Sequence, residues 1–413
     1  MIPIGLRRAL GLAGVSQGDR RRVLWVACGA HALHDGFTDT LYVLLPLWQA
    51  EFGLGYAAVG VLRSLYTAAM AGLQVPAATI ARRIGSPLVL AAGTMLAAAG
   101  YLLAGASSGF IILAAALILG GIGSSTQHPI ASSLVAQAYD TQGSRGPLAT
   151  YNFAGDLGKM ALPSATAALL LLMPWRSAVL ALGMIGIATA LAIAFLLSRA
   201  GPAGREATPL VDHAMDDRAA RPRGGFVLLL AIGIIDGATR TGFLTFLPFL
   251  LQAKGASLPT VGMALTLVFA GGAAGKLVCG FLGARIGVLA TVIATEGATA
   301  LGIVMSLLLP LGAALAMLPA LGIALNGTSS VLYGTVPELA PADKRQRAFG
   351  LFYTGTIGAG ALSPAMYGLF GDLLGIPAAM LLIAAVVLVT LPLAWRLSAR
   401  LKGMDVTIAA RLS

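Results

Sequence analysis

Two stretches of the chain read alike. The first is Asp35-Gly36-Phe37-Thr38-Asp39-Thr40, followed by Leu45-Pro46; the second is Asp236-Gly237-Ala238-Thr239-Arg240-Thr241, followed by Leu247-Pro248. Both lie inside long apolar runs. Working outward, the likeness continues in register. Val59-Gly60 matches Val261-Gly262, and Arg83-Ile84-Gly85 matches Arg285-Ile286-Gly287. Gly155-x-x-Gly158 with Ala161-Leu162-Pro163 matches Gly355-x-x-Gly358 with Ala361-Leu362 and then Pro364. Matches held in register along most of each half mark an internal duplication.

Composition says what is duplicated. Of 413 residues, 58% are apolar and 10% charged, whereas a soluble domain carries about 25% charged residues. A soluble chain of this size needs a more polar exterior. A soluble enzyme, a disordered chain and a nucleic-acid module are therefore set aside in favour of a chain whose surface meets lipid. A bilayer-crossing helix needs about 20 apolar residues. Twelve spans are expected, at 23–49, 57–81, 87–106, 110–137, 147–173, 176–198, 225–250, 258–283, 288–310, 313–336, 349–370 and 376–396. The expected fold class is an all-α membrane protein: twelve transmembrane helices in two pseudo-symmetric six-helix bundles, residues 23–198 and 225–396. Residues 1–22 and 397–413 are expected as terminal segments, and 199–224, with Pro202, Pro209 and Pro222, as a polar linker.

The net charge of +11 is unevenly placed. One side collects Arg7, Arg8, Arg20, Arg21, Arg22, Arg82, Arg83, Arg145, the linker arginines, Arg285, Lys344, Arg345, Arg347 and the basic residues after Trp395. The other side holds Arg176 and Lys254. Basic loops stay in the cytoplasm, so both termini are expected there, in a multi-pass protein of the inner (plasma) membrane. The excess positive charge is then a topology signal, and no nucleic-acid partner is expected. Cys28 and Cys279 have no metal-ligand spacing.

With twelve spans, a long middle loop and two similar halves, the sequence resembles the major facilitator superfamily. That family's signature after spans 2 and 8 is Gly-x-x-x-Asp-Arg-x-Gly. Here the second copy reads Gly280-Phe281-Leu282-Gly283-Ala284-Arg285-Ile286-Gly287, and the first reads Ala78-Thr79-Ile80-Ala81-Arg82-Arg83-Ile84-Gly85. The Asp is replaced by Ala284 and Arg82, while the Arg and final Gly remain. Gly155-Asp156-Leu157-Gly158-Lys159 with Pro163 is similar to the span 5 motif of the family's drug/proton antiporters. His128-Pro129 after Gly120, Gly121 and Gly123 is similar to its fosmidomycin-resistance-like branch. The resemblance implies the major facilitator fold, alternating access to a central cavity, Arg83 and Arg285 as gating residues, and proton-driven export.

An ionisable group at the centre of a membrane helix costs at least ~2.5–3.5 kcal/mol on insertion scales. His31, His34, Asp35, Asp39, Arg63, His128, Asp156, Lys159, Asp236, Arg240, Lys276 and Glu296 are thus expected to face a wet cavity or a partner. His31, His34, Asp35, Thr38, Asp39 and Tyr42 recur at spacings of three and four, which places them on one helical stripe. Proton coupling needs a carboxylate in apolar surroundings. Asp35 is the first expectation, with His31 and His34 as relays; Asp236 and Glu296 are the others. Asp39 is expected to pair with Arg240, with Arg63 as a rival partner. Asp156 and Lys159, three apart, can pair on one face, and Lys276 can pair with Glu296. Asp39, Tyr42, Arg63, His128, Asp156, Lys159 and Arg240 are the expected substrate contacts. The structural alternative is that these charges only hold helices together.

Such a mixed set suits a small polar, zwitterionic or anionic solute. The His/Asp stripe carries metal-ligand types, but no metal is expected. No cofactor is expected either: Gly272-Ala273-Ala274-Gly275-Lys276 lacks the Ser/Thr of a phosphate-binding loop. The expected activity is proton-coupled export of a small polar or anionic compound by a monomer. The alternatives are uptake of a nutrient or metal chelate, or a sensor or enzyme on the same fold.

Overall fold

The computed structural model describes residues 16–198, 224–340 and 345–399. The expected linker from 199 to 223, the first fifteen residues, the tail from residue 400 and Lys344 lie outside the described residues. Every regular element among the described residues is a helix. Span 1 is Gln17–Phe52, and span 2 is Tyr56–Gly72 continued by Gln74–Ile84. Span 3 is Ser86–Gly105, and span 4 is Phe110–Ser124 continued by Gln127–Gly143. Spans 5 and 6 are Arg145–Leu172 and Trp175–Ser198, and span 7 is Gly224–Ala253. Leu258–Leu308 holds spans 8 and 9; spans 10, 11 and 12 are Leu311–Leu339, Arg345–Leu374 and Ile376–Leu388.

At about 1.5 Å per residue, the 51 residues of Leu258–Leu308 could cross a ~30 Å hydrocarbon layer twice. The chain breaks within it at Gly287, whose φ is 81°. Gly85, the registered residue after span 2, has φ 100°. Side chains rarely tolerate this backbone region, which explains why Arg-Ile-Gly recurs at both turns. Span 4 breaks at Ser125 and Thr126. Pro129 lacks an N–H and cannot pair with the carbonyl one turn earlier, and the break starts a new helix just before His128.

Among the described residues, seven helices are long and apolar enough by themselves to cross a membrane, and the double span is one of them. Spans 1, 2, 5 and 11 fall short of that mark. These four carry most of the polar stripe or run along the contact between the halves, where they meet protein in place of lipid. Within the first half, span 1 packs on span 5, span 2 on span 4 and span 3 on span 6; span 7 on 11 and span 8 on 10 repeat the pattern, and span 12 packs on the Leu258–Leu308 helix. The repeated Asp-Gly is part of this packing. Gly36 sits on Leu162 and the Gly158 carbonyl, and Gly237 on the Thr356 carbonyl.

The halves meet along two antiparallel seams, span 2 with span 11 and span 5 with span 8. At each seam a registered glycine faces proline backbone. Gly60 lies against the carbonyl of Pro364, and Gly262 against the Ala167 methyl, then the Cα of Ser164 and the carbonyl of Pro163. Small residues let helix backbones approach closely. Seam 5–8 adds hydroxyl contacts: Ser164 Oγ donates to the Gly262 carbonyl at 3.0 Å, and Thr266 Oγ1 to the Met160 carbonyl at 2.6 Å.

One face of the molecule is closed. There the Asp372 carboxylate of span 11 accepts from the backbone N–H of Tyr56 (2.5 Å) and of Ala57 (2.9 Å), capping span 2 across the seam. The Tyr56 ring meets Phe249 at 5.5 Å between centroids. The two basic residues of this face are used locally. Arg176 donates to Glu51 at 2.6 Å, which holds the Glu51 carboxyl below its ordinary range. Lys254 donates to the carbonyls of Leu307 and Leu309, both at 2.7 Å, at the end of span 9. Toward the opposite face, which bears Arg82, Arg83 and Arg285, the halves part. Beyond Leu73, span 2 leaves span 11, and Gln74–Ile84 packs chiefly on span 3 and the second piece of span 4.

Gly60→Leu and Gly262→Leu should each destabilise the protein by about 1–3 kcal/mol, the usual cost of overpacking. Gly358→Ala, with no heavy atom within 4 Å of an added Cβ, should leave the midpoint of thermal unfolding in detergent unchanged or slightly raised. Asp372→Ala removes a cap worth about 1 kcal/mol and should raise the population open at the closed face about fivefold. Labelling of Thr67→Cys by an impermeant maleimide from that face, in a background lacking Cys28 and Cys279, reads the shift.

Candidate functional site

Between the halves lies a cavity of about 710 Å³, to which both contribute polar side chains. Asp39, Tyr42, Arg63, His128, Asp156 and Lys159 enter it from the first half; Asp236, Arg240, Lys276 and Asn326 enter from the second. The expected substrate contacts thus reach one chamber.

Span 1 carries the most concentrated charge. Asp35 is buried, and its carboxylate meets three partners: His31 Nε2 at 3.2 Å, His128 Nε2 at 3.6 Å and Lys159 Nζ at 3.2 Å. His31 Nδ1 donates to the Tyr151 carbonyl at 2.9 Å, and its ring stacks on that of Tyr151. The spacing placed His34 on the same stripe, but the structure turns it away. Its Nε2 lies 2.9 Å from Thr94 Oγ1 and its Nδ1 3.4 Å from Ser124 Oγ, inside the first bundle. His34 therefore packs spans 1, 3 and 4 and does not join the Asp35 network.

Two expected ion pairs are replaced by others. Lys159 reaches span 1, where its ammonium compensates Asp35, and so does not pair with Asp156 on its own helix. Lys276 donates to both Asp156 oxygens, at 2.6 and 2.7 Å, and does not pair with Glu296. The physical reason is burial: an unpaired carboxylate inside a bundle costs several kcal/mol, and each lysine meets the carboxylate its neighbouring helix brings closest. Asp156–Lys276 joins the two halves on seam 5–8, at the cavity wall.

Asp39 forms no ion pair within 4.0 Å among the described residues, so the expected pairs with Arg240 and Arg63 are not made in this state; all three face the same cavity. Arg63 donates instead to Tyr42 Oη at 3.0 Å and Thr67 Oγ1 at 2.8 Å, and its guanidinium lies over the Tyr42 ring. Arg240 has no hydrogen bond or ion pair with another described residue, and its acidic electrostatic neighbours are Asp39, Asp236 and Glu296. Glu296 is 1% exposed, and its Oε1 has no hydrogen-bond partner. Arg83 and Arg285 are exposed at the two turns, where Arg285 lies over the Phe281 ring.

Tyr151, Asn152 and Asn326 belong to the site but were not singled out in the sequence. Tyr151, Asn152, Gly155, Asp156 and Lys159 recur at spacings of three and four, so the stripe on span 5 carried a readable signal.

Known proteins share this fold. The sequence profile described as Major Facilitator Superfamily matches residues 27–232 and 229–405. A protein of Escherichia coli (strain K12) described as a probable L-galactonate transporter is 25% identical over 250 residues, 57% of this chain. The matched region spans only about half, 55%, of that relative's length. A bacterial homologue of the human lysosomal transporter Spinster, in an inward-facing and occupied conformation, superposes with a TM-score of 0.78 at 16% identity, covering 93% of this chain and 98% of that one. A POT family transporter in complex with 5-aminolevulinic acid gives 0.76 at 14% identity, covering 92% and 96%.

Asp156→Asn and Lys276→Gln should each lower the thermal midpoint, and the exchange Asp156→Lys with Lys276→Asp should recover part of the loss. The double-mutant cycle should return a coupling of roughly 0.5–3 kcal/mol; the same cycle on Asp156 and Lys159 should return a smaller one.

Proposed function

The chain belongs to the Major Facilitator Superfamily, and from that premise we propose that it is a secondary transporter moving a small organic anion, in exchange for protons, through alternating exposure of the cavity between its halves. The observation that carries this reading is Arg240. It places an uncommitted guanidinium in a chamber of about 710 Å³, and a guanidinium fork matches a carboxylate bidentately. Lys159 and Lys276 are each held by a carboxylate and Arg63 by two hydroxyls, so Arg240 is the anchor. Asn152, Asn326, Thr241 and Ser329 line the same chamber and suit hydroxyl groups. A hydroxylated carboxylate fits this set, and the likeness to a probable L-galactonate transporter supports that class.

For the coupling proton the geometry favours Glu296 over Asp35. Asp35 already has Lys159 and two histidines against it, whereas Glu296 is enclosed and lacks a cationic partner within 4.0 Å among the described residues. A bound proton removes the cost of that buried charge, and Asp236 and Arg240 link the change to the cavity. The basic face is assigned to the cytoplasm, with the protein a monomer in the inner membrane and both termini cytoplasmic. The cavity then faces inward. The His128-Pro129 likeness favours export.

Purified protein in liposomes, offered galactonate and related sugar acids, tests this reading. An imposed pH gradient should drive the anion uphill and opposite to the protons; movement with the protons would reverse the direction, and movement of no carboxylate would overturn the proposal. Charge-assisted hydrogen bonds contribute roughly 1.5–3 kcal/mol, so Arg240→Gln should raise the half-saturating concentration about 10- to 150-fold. Glu296→Gln should keep anion-for-anion exchange but lose the response to the gradient.

A further inference from the structure

The network around Asp35 gathers more donor atoms than one ion pair requires. The Tyr151 carbonyl can only accept, so the His31 Nδ1 at 2.9 Å carries a proton. In a neutral imidazole the other nitrogen, Nε2, then holds a lone pair, and it points at an Asp35 oxygen 3.2 Å away. That contact is satisfied by a proton on Nε2, by the Lys159 ammonium 3.2 Å from the same Asp35 oxygen, or by a metal ion in their place. A histidine that gives one N–H to a backbone carbonyl and offers the other nitrogen is the usual posture of a metal ligand.

A third donor completes the set. His128 Nε2 approaches the other Asp35 oxygen at 3.6 Å, and the ligand atoms of His31, Asp35 and His128 all lie within 4.8 Å of one another. The two imidazoles approach different Asp35 oxygens, at 3.2 and 3.6 Å, so a single ion draws one oxygen and both imidazoles inward from within 4.8 Å of one another to the roughly 3.3 Å spacing of ligands bound tetrahedrally at about 2.0–2.1 Å. His31 and Asp35 are buried, while the His128 side chain is 36% exposed and lines the cavity. An ion could therefore enter from the cavity, past His128.

We propose that His31, Asp35 and His128 form a three-ligand site for a borderline divalent transition-metal ion such as zinc or cobalt, with the fourth position open to the cavity. Two imidazoles and one carboxylate select this class over magnesium or calcium, which prefer all-oxygen sites. Lys159, whose ammonium stands 3.2 Å from Asp35, is the built-in competitor. The ion and the ammonium exchange places, and the displaced Lys159 extends into the cavity, which it already lines. The same chemistry accepts an aquo ion or one carried by a small carboxylate chelator, whose oxygen would take the fourth position.

Tag-free full-length protein in detergent, titrated with Co²⁺, tests the proposal by the visible spectrum. One equivalent should bind with a tetrahedral d–d spectrum, unaffected by excess Mg²⁺. His128→Gln should weaken binding about 10- to 100-fold with an unchanged thermal midpoint, and Lys159→Met should tighten it. His31→Gln should behave like His128→Gln. Absence of stoichiometric binding, or equal binding by wild type and both histidine variants, would overturn the assignment. With equimolar citrate, a retained spectrum identifies a chelated ion as the source, and a lost one identifies the free ion. Anion flux measured in EDTA reports separately on the transport reading, so the two can fail independently.

Discussion

At Gly60 and Gly262 the two halves of the molecule touch, against the Pro364 backbone and against the Ala167 methyl with the Pro163–Ser164 backbone, and the meeting of both halves' side chains in one cavity depends on that approach. A methyl group at either glycine would meet main-chain atoms of the opposite half. With the glycines in place, spans 2 and 11 and spans 5 and 8 lie close enough for hydroxyls and for Asp156 and Lys276 to reach across. The cavity is the space left where these seams end.

The charges obey a related constraint. Inside a low-dielectric bundle an ion takes whatever opposite charge the packing brings nearest, because an unpaired one is expensive. Asp35 receives Lys159 from the neighbouring helix, and Asp156 receives Lys276 from the other half. Asp39, Asp236, Arg240 and Glu296 have no such partner within 4.0 Å among the described residues, and this sets them apart from the ions that fasten helices together.

Much of the fold was legible before any coordinate was known. The paired Asp-Gly, Val-Gly and Arg-Ile-Gly stretches announced the duplication, and the structure gives each a physical job: helix contact within a half, contact between halves, and a left-handed turn. The polar stripe on span 1 marked the cavity. What stayed hidden was pairing. Spacing along one helix suggests Asp156–Lys159, yet the partner is decided by how far helices rotate and approach, which local periodicity does not encode. His34 shows the same limit: one residue from Asp35, it faces another helix. The break in span 4 could be suspected from Gly123 and Pro129, but its role in presenting His128 to Asp35 needed the third dimension.

The closed face is fastened unequally. Seam 2–11 is held at its outer mouth, where Asp372 completes the helix end of span 2. Seam 5–8 is held deeper, by Ser164, Thr266 and the lysine–aspartate bridge. The position registered with Asp372 in the first half is an apolar leucine, so the duplication was not preserved in its latches. Opening this face therefore takes the breaking of two unlike clasps, one at the rim and one buried between the halves.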